Sequence, residues 1–205
     1  WYPFTSNGAG VVPDVSGNGN DGSCTPGGTC PLFVAGDGQP PGAYDFTGNG
    51  NYIELPNESA FDFTTQFSVS LWMKSSNPSN AWAQLIGKGD SAWSIERQLS
   101  TNRLSFTTFA PSANNLVGST NVFDGQWHHI AAVYDGAQKT LYVDGQVDAQ
   151  KGYSAAVSKN NVNVRLGFNS EYVTGQYDGL LDDVRVYGRA LSQAEVQQVR
   201  AEATQ

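Results

Sequence analysis

Charged residues are scarce in this sequence. Only 15% of its 205 residues are Asp, Glu, Lys or Arg, and the acids outnumber the bases by 19 to 11. The resulting formal net charge of -8 argues against nucleic acids and anionic membrane surfaces as partners, because both attract basic patches. A neutral or cationic partner fits this composition better.

Several other signals are missing. No segment approaches the roughly 18 consecutive apolar residues of a membrane-spanning helix, and no internal repeat is visible. Phosphate-binding loops, Rossmann glycines, zinc-protease motifs and a Gly-x-Ser-x-Gly nucleophile elbow are absent from the sequence as well. The sequence opens on Trp1 rather than Met, so we expect it to have been cut from a longer secreted precursor.

Cysteine is limited to Cys24 and Cys30. Pro26 and the Gly27-Gly28 pair can turn the chain back between them, which predicts a disulfide and therefore an oxidising, extracellular or cell-surface location. Two thiols are too few for a structural zinc site, and their spacing is not the redox Cys-x-x-Cys pattern. Closing so short a loop removes little chain entropy, so the bond would mainly fix a loop.

Turn-forming and aromatic residues are abundant. With 23 Gly, 9 Pro and 12% aromatic residues, the chain can form many turns around a sizeable core. The first 41 residues are loop-rich, and short alternating runs between turn signals then predict strands. The predicted strands cover 44–46, 51–55, 67–74, 83–88, 94–98, 103–109, 126–134, 140–144, 161–167 and 179–187.

This succession of strands predicts an all-β fold, a two-sheet antiparallel jelly-roll sandwich. In the run 67–74 apolar residues alternate with Ser68, Ser70 and Lys74, the pattern of a sheet with one buried face. The capping box from Ser192 to Glu195 predicts one short C-terminal helix. We expect residues 1–205 to form one domain.

Five phrases of the sequence resemble the laminin-G-like jelly-roll domains of the concanavalin-A-like lectin and glucanase superfamily, and they occur in that family's order. They are 44–54 (YDFTGNGNYIE), 67–73 (FSVSLWM), 125–136 (GQWHHIAAVYDG), 141–145 (LYVDG) and 181–192 (LDDVRVYGRALS). The resemblance implies two curved antiparallel sheets, an accessory module of a secreted protein, and often a structural calcium. Because the fold carries many functions, it does not choose among them.

A calcium site is predicted at a glycine-rich loop. Its candidate ligands are Asp14, Asn18, Asn20 and Asp21, since calcium takes six to eight oxygen ligands at flexible distances. An ordinary turn rich in Asp and Asn remains the alternative.

Asp182 favours the calcium interpretation. Strand alternation places it in one row with Val184 and Val186, where a buried carboxylate needs a cation or several donors. The resemblance likewise implies a calcium between the 14–17 loop and the 182–185 strand, with a structural role.

Two aromatic residues are candidates for sugar contact. Trp82 and Trp93 flank a predicted strand beside loops, where an indole can stack on the apolar face of a pyranose, although core packing is the alternative for each. Arg97 could pair with an acidic sugar through two parallel bonds, with a neighbouring acid as the alternative partner.

The loop 169–177 supplies a second candidate group. Glu171, Tyr172 and Tyr177 combine hydrogen bonding with stacking, as hydroxyl-rich ligands require. Exposed loop tyrosines are also common without any function.

Catalysis is not predicted for this chain. Glycosidases of the resembled superfamily place carboxylates in a Glu-x-Asp-x-x-Glu pattern, which this sequence lacks. We therefore expect a non-catalytic carbohydrate-binding domain that targets an attached enzyme or surface protein to a polysaccharide. The alternatives are an adhesion or protein-interaction domain, and a polysaccharide lyase or hydrolase with a nonstandard site.

Overall fold

A computed structural model describes residues 1–5, 10–25, 27–38, 42–76 and 80–202. Within them the chain forms two packed antiparallel sheets, here called the front sheet and the back sheet. The predicted all-β two-sheet sandwich is confirmed.

The front sheet has eight strands in the described residues. Across the sheet they are β1 (Val11–Val12), β2 (Gly22–Ser23), β5 (Ile53–Leu55), β14 (Val164–Leu166), β7 (Gln84–Gly87), β8 (Trp93–Arg97), β9 (Leu104–Phe109) and β10 (Ala113–Val117). A short 3-10 helix, Glu58–Phe61, follows β5.

The back sheet has seven strands in the described residues. Across the sheet they are β13 (Gln146–Gly152), β12 (Gln138–Val143), β11 (His128–Tyr134), β6 (Phe67–Lys74), β15 (Asp178–Tyr187), β4 (Ala43–Thr47) and β3 (Leu32–Val34). The predicted C-terminal helix is present as α1 (Gln193–Glu202).

The main core lies between the two sheets, as the alternation of β6 predicts. Phe67, Val69, Leu71 and Met73 are all buried in it. The opposite face of β6 is buried too, contrary to the prediction of one buried face, because the segment leading into α1 covers it: Ser68 donates to the Arg189 carbonyl and accepts from the Leu191 amide. The helix covers part of the outer side of the back sheet, where Val196 packs with Ala131 and Val133 of β11.

Strands at the sheet edges and near the start of the chain are the ones that the pattern misses. β10 and β13 carry polar residues on both faces, so they lack apolar alternation. Within the loop-rich first 41 residues, β1, β2 and β3 are only two or three residues long. The predicted disulfide between Cys24 and Cys30 is present.

β15 contains an irregularity beside the predicted calcium ligand. Its register with β6 shifts between Asp182 and Arg185, and Asp183 has a φ of 44°. Asp182 is buried, but its predicted place in the core row is wrong: Leu181 pairs with the core residue Met73, so Asp182, which pairs with Trp72, faces the outer side. Asp183 is buried as well and pairs with Arg185. No helix among the described residues is long and apolar enough to span a membrane.

Candidate functional site

The outer face of the front sheet is polar where three neighbouring strands, β8, β9 and β10, lie side by side. In β8, Trp93 and Ile95 point into the core, so Ser94 and Glu96 point to the outer face because strand side chains alternate. Strand register extends this face: Ser94 pairs with Thr107 of β9, and Thr107 pairs with Asn115 of β10. These side chains form the floor of a groove.

Loops complete the groove, which has a volume of about 240 Å³. Its lining residues are Trp82, Asp90, Glu96, Thr107, Ala113, Asn115, Asn169, Thr174 and Gly175. The segment that carries Asn169, Thr174 and Gly175 is tied to the sheet, because the backbone N–H of Gln84 donates to the Gly175 carbonyl at 2.9 Å. A rigid sheet therefore holds a loop wall in place.

Trp82 stands at this groove with 37% of its surface exposed. Its φ of 60° lies in the left-handed region, which costs an ordinary residue roughly 1–2 kcal/mol. Such strained positions concentrate at functional sites. The strained backbone and the exposed indole together single out Trp82 as a candidate stacking surface.

Among the acids that line the groove, Glu96 has the pKa that is raised the most. Its side chain accepts a 2.8 Å hydrogen bond from the Thr107 hydroxyl and is only 6% exposed. Burial, assisted by the negative charge of Asp90, raises the pKa of Glu96 to about 7. The site thus contains a carboxyl group that changes charge near neutral pH.

Asp90 and Glu171 hold the loop wall. Asp90 accepts a 2.6 Å hydrogen bond from the Asn169 side-chain amide, and burial together with the Glu171 charge raises the pKa of Asp90. Glu171 accepts bonds from both the amide and the hydroxyl of Ser91. The predicted ligand residue Glu171 is therefore engaged in fixing the loop.

Two predicted sugar contacts are wrong because the side chains are in the core. Trp93 is 1% exposed, packs against Phe67 and donates its indole N–H to the Phe61 carbonyl. Tyr177 is also buried, edge-on against Phe46, and its hydroxyl donates to the backbone. Neither ring can meet a ligand at the surface.

Arg97 and Tyr172 lie outside the groove lining. The Arg97 guanidinium is buried, donates to the Asn80 and Thr101 carbonyls and lies over the Phe123 ring. It links loops, so its predicted role with acidic sugars is not supported. Tyr172 is exposed on the loop 169–177, next to the groove wall.

The sequence reasoning missed Glu96, Thr107 and Asn115. The alternation in 93–97 and 104–107 indicates polar outer faces, since Ser94, Glu96 and Thr107 alternate with apolar residues. What no local pattern supplies is the register that aligns the three strands.

The predicted calcium ligands on the 14–21 loop are engaged in hydrogen bonds. The Asp14 carboxylate accepts hydrogen bonds from the backbone nitrogens of Trp1, Ser16 and Asn20, and Asp21 accepts from the Asp14 amide.

The other predicted ligands are engaged elsewhere. Asn18 donates to Ser16, and the Asn20 side-chain oxygen accepts from Asn57. Asp182 accepts from the Asp183 amide and lies against Gly38. Among the described ranges, no group of three or more His, Cys, Asp or Glu residues could hold a metal ion. Calcium stays a prediction.

The two-sheet architecture and the polar outer groove define a lectin-like sandwich domain. Residues 47–197 match the Laminin_G_3 family of the concanavalin A-like lectin/glucanases superfamily. The chain belongs to this family.

Solved structures share the fold. The binding domain of Paraclostridial Mosquitocidal Protein 1 aligns with a TM-score of 0.77 and 18% identity, covering 97% of this chain and 51% of that chain. Domain 4 of AbnA, an extracellular arabinanase from Geobacillus stearothermophilus, was solved in complex with arabinotriose. It aligns with a TM-score of 0.66 and 23% identity over 82% of this chain and 81% of that chain.

One relative in sequence is a subunit of an enzyme. The N,N-dimethylformamidase beta subunit of Paracoccus aminophilus is 26% identical over 204 residues, which cover 83% of this chain. The chain spans only 26% of that subunit's length. The domain type therefore also occurs within much longer chains.

Proposed function

We propose that this chain is a non-catalytic carbohydrate-binding domain whose groove on the front sheet binds a saccharide. The observation that carries the proposal is the half-exposed, conformationally strained Trp82 beside carboxylates and side-chain amides. An indole stacks on the apolar face of a sugar ring, and the acids and amides meet its hydroxyls.

The wider role proposed for this domain is to target an attached enzyme or surface protein to a polysaccharide. Holding an attached enzyme or surface protein near a polysaccharide raises its effective concentration there. The arabinotriose complex of the arabinanase domain supports sugar binding by this fold, and the disulfide supports a secreted or cell-surface location.

The test is a screen of soluble and insoluble glycans with wild type, Trp82→Ala and Asn115→Ala. We expect Trp82→Ala to weaken binding about 5- to 150-fold, since one stacked ring is worth about 1–3 kcal/mol, on the scale of base–aromatic stacking. Val147→Ala is the matched control, because Val147 is similarly exposed but lies on the back sheet. Equal binding by all four proteins would contradict the proposal.

An adhesion or protein-interaction domain is the second candidate. Tyr172 and Val173 form an apolar loop tip beside the groove, with Val173 88% exposed, and the fold recurs in a toxin binding domain and an enzyme subunit. Binding of a protein partner that is lost in Tyr172→Ser with Val173→Ser, but retained in Trp82→Ala, would favour it. Release of glycan fragments that disappears in Glu96→Gln would instead favour a hydrolase or lyase.

A further inference from the structure

The groove carries negative groups without a positive one. Among its described lining residues, Asp90 and Glu96 are acids and none is Lys, Arg or His. The nearby Arg97 is held by loop carbonyls and the Phe123 ring. Two carboxyl groups thus face a partly enclosed space with no basic residue in its described lining.

These two acids disfavour each other's charge. The Asp90 charge raises the pKa of Glu96, beyond the larger effect of burial. Thr107 donates to Oε1 of Glu96, and Asn169 donates to Oδ1 of Asp90. A cation placed between the two carboxyl groups would relieve the repulsion between them.

A further polar group lies on the same outer face. Gln84 is the cross-strand partner of Glu96, and a Cβ on Gly87 would come within 2.6 Å of its Nε2 atom. The Gln84 side chain is fully buried, and neither its oxygen nor its nitrogen has a hydrogen-bond partner within the described part of the chain. Such a buried amide normally requires a partner. Gln84 is not among the residues that line the groove, so it adds a polar neighbour to Glu96 rather than a ligand contact.

We infer that the groove selects an amino sugar, a saccharide whose ring carries a protonated amine directed at Glu96 and Asp90. This inference rests on the proposed function and narrows its ligand class. Trp82 stacks on the sugar ring, the amine meets the two carboxylates, and the hydroxyls are left for amides such as those of Asn115 and Asn169.

Anionic sugars are disfavoured by the same geometry. A uronate or sulfated sugar would place a third negative group beside two acids in a site of reduced dielectric. A neutral sugar binds through stacking and hydroxyl contacts alone, without the ionic attraction. The expected order of affinity is amino sugar, then neutral sugar, then acidic sugar.

The test is calorimetric titration of wild type with the hexamers of chitosan, chitin and cellulose between about pH 6 and about pH 7, the range in which the sugar amine and Glu96 both change charge. These hexamers share one backbone and differ in one substituent: amine, acetamide or hydroxyl. Oligogalacturonate is the acidic probe and hexalysine the peptide probe. Glu96→Gln removes one of the two acids of the groove, and Asp178→Asn on the back sheet is its control for overall net charge.

We expect chitosan hexamer to bind at least about tenfold more tightly than cellohexaose, as one charge-assisted contact allows. Glu96→Gln should abolish this ratio, while Asp178→Asn should preserve it. An equal loss of the ratio in both variants would reveal general attraction to an acidic protein and would overturn the inference. The inference would also be overturned if hexalysine bound as tightly as the chitosan hexamer and lost affinity in the same variant.

Failure of the inference and failure of the proposed function have different signatures. If cellohexaose or chitin hexamer binds through Trp82 with no preference for the amine, the amino-sugar inference is wrong and carbohydrate binding stands. If none of the hexamers binds wild type, the inference is overturned, and the wider glycan screen then decides the proposed function separately.

Discussion

Thr107 of β9 donates a hydrogen bond to Glu96 of β8 across the floor of the groove, at 2.8 Å. The hydrogen bond favours the charged carboxylate, but burial of Glu96 outweighs it, because a neutral carboxyl group is easier to bury than a charged one. The charge state of Glu96 therefore links the stability of the front sheet to pH.

Glu96→Gln is expected to stabilise the protein at alkaline pH. The pKa of Glu96 is about 7 in the folded state against an ordinary value of 4.5. The stabilisation that Glu96 contributes is therefore complete below the unfolded pKa and is lost as pH rises through the folded pKa. The amide stays neutral and should raise the free energy of unfolding by up to about 3 kcal/mol above neutral pH.

Urea denaturation of wild type and Glu96→Gln at about pH 8 and about pH 4 would measure this difference. The two proteins should differ at the higher pH and approach one another at the lower. A difference that is the same at both pH values would mean that protonation of Glu96 is not its cause.

Gly89→Ala is expected to damage the groove wall. Gly89 has a φ of +69°, and an added Cβ would collide with the Glu171 carboxylate that holds Ser91. We expect a loss of roughly 1–2 kcal/mol from the left-handed backbone, together with displacement of the loop and weaker ligand binding.

Gly27→Ala is the matched control for this change. Gly27 has a φ of +72° and no neighbour within 4 Å of an added Cβ, so it reports backbone strain alone. Thermal melts and glycan titrations of both variants separate the two effects. Indistinguishable variants would argue against a wall held by Glu171.

Removal of the disulfide is expected to be mild and local. Cys24 and Cys30 are separated by six positions, and so short a loop contributes about 2 kcal/mol by the chain-entropy relation. β2, which precedes this loop, is separated from β7 by two strands of the front sheet. The double variant Cys24→Ser with Cys30→Ser should melt at a lower temperature and bind glycan normally. Loss of glycan binding would contradict this prediction, because the strand order places the disulfide loop away from the groove.

Calcium is tested by melting the protein with calcium, with magnesium and with a chelator. If calcium binds the native state, saturation to about a hundred times its dissociation constant adds about 2.7 kcal/mol. Asp182→Asn should remove that increment. A melting temperature unchanged by any of these additions would leave the hydrogen bonds of Asp14 and Asp21 as the sole role of the loop.

The fold could be predicted because its signals are local or belong to the family. Alternation identifies β6 and β9, whereas β10 and β13 escape because edge strands can be polar on both faces. The predictions for Trp93 and Tyr177 failed because an aromatic residue beside a loop can point either way. Glu96 and Asn115 meet only through the register of three strands, which local sequence does not specify.

Helix α1 packs on the outer side of the back sheet, while the groove opens on the outer side of the front sheet. The domain is consequently two-sided, with the proposed ligand groove on one face and the C-terminal helix on the other. If it adsorbed to a flat polymer through the groove, it would settle in one orientation, with the helix directed toward the solution.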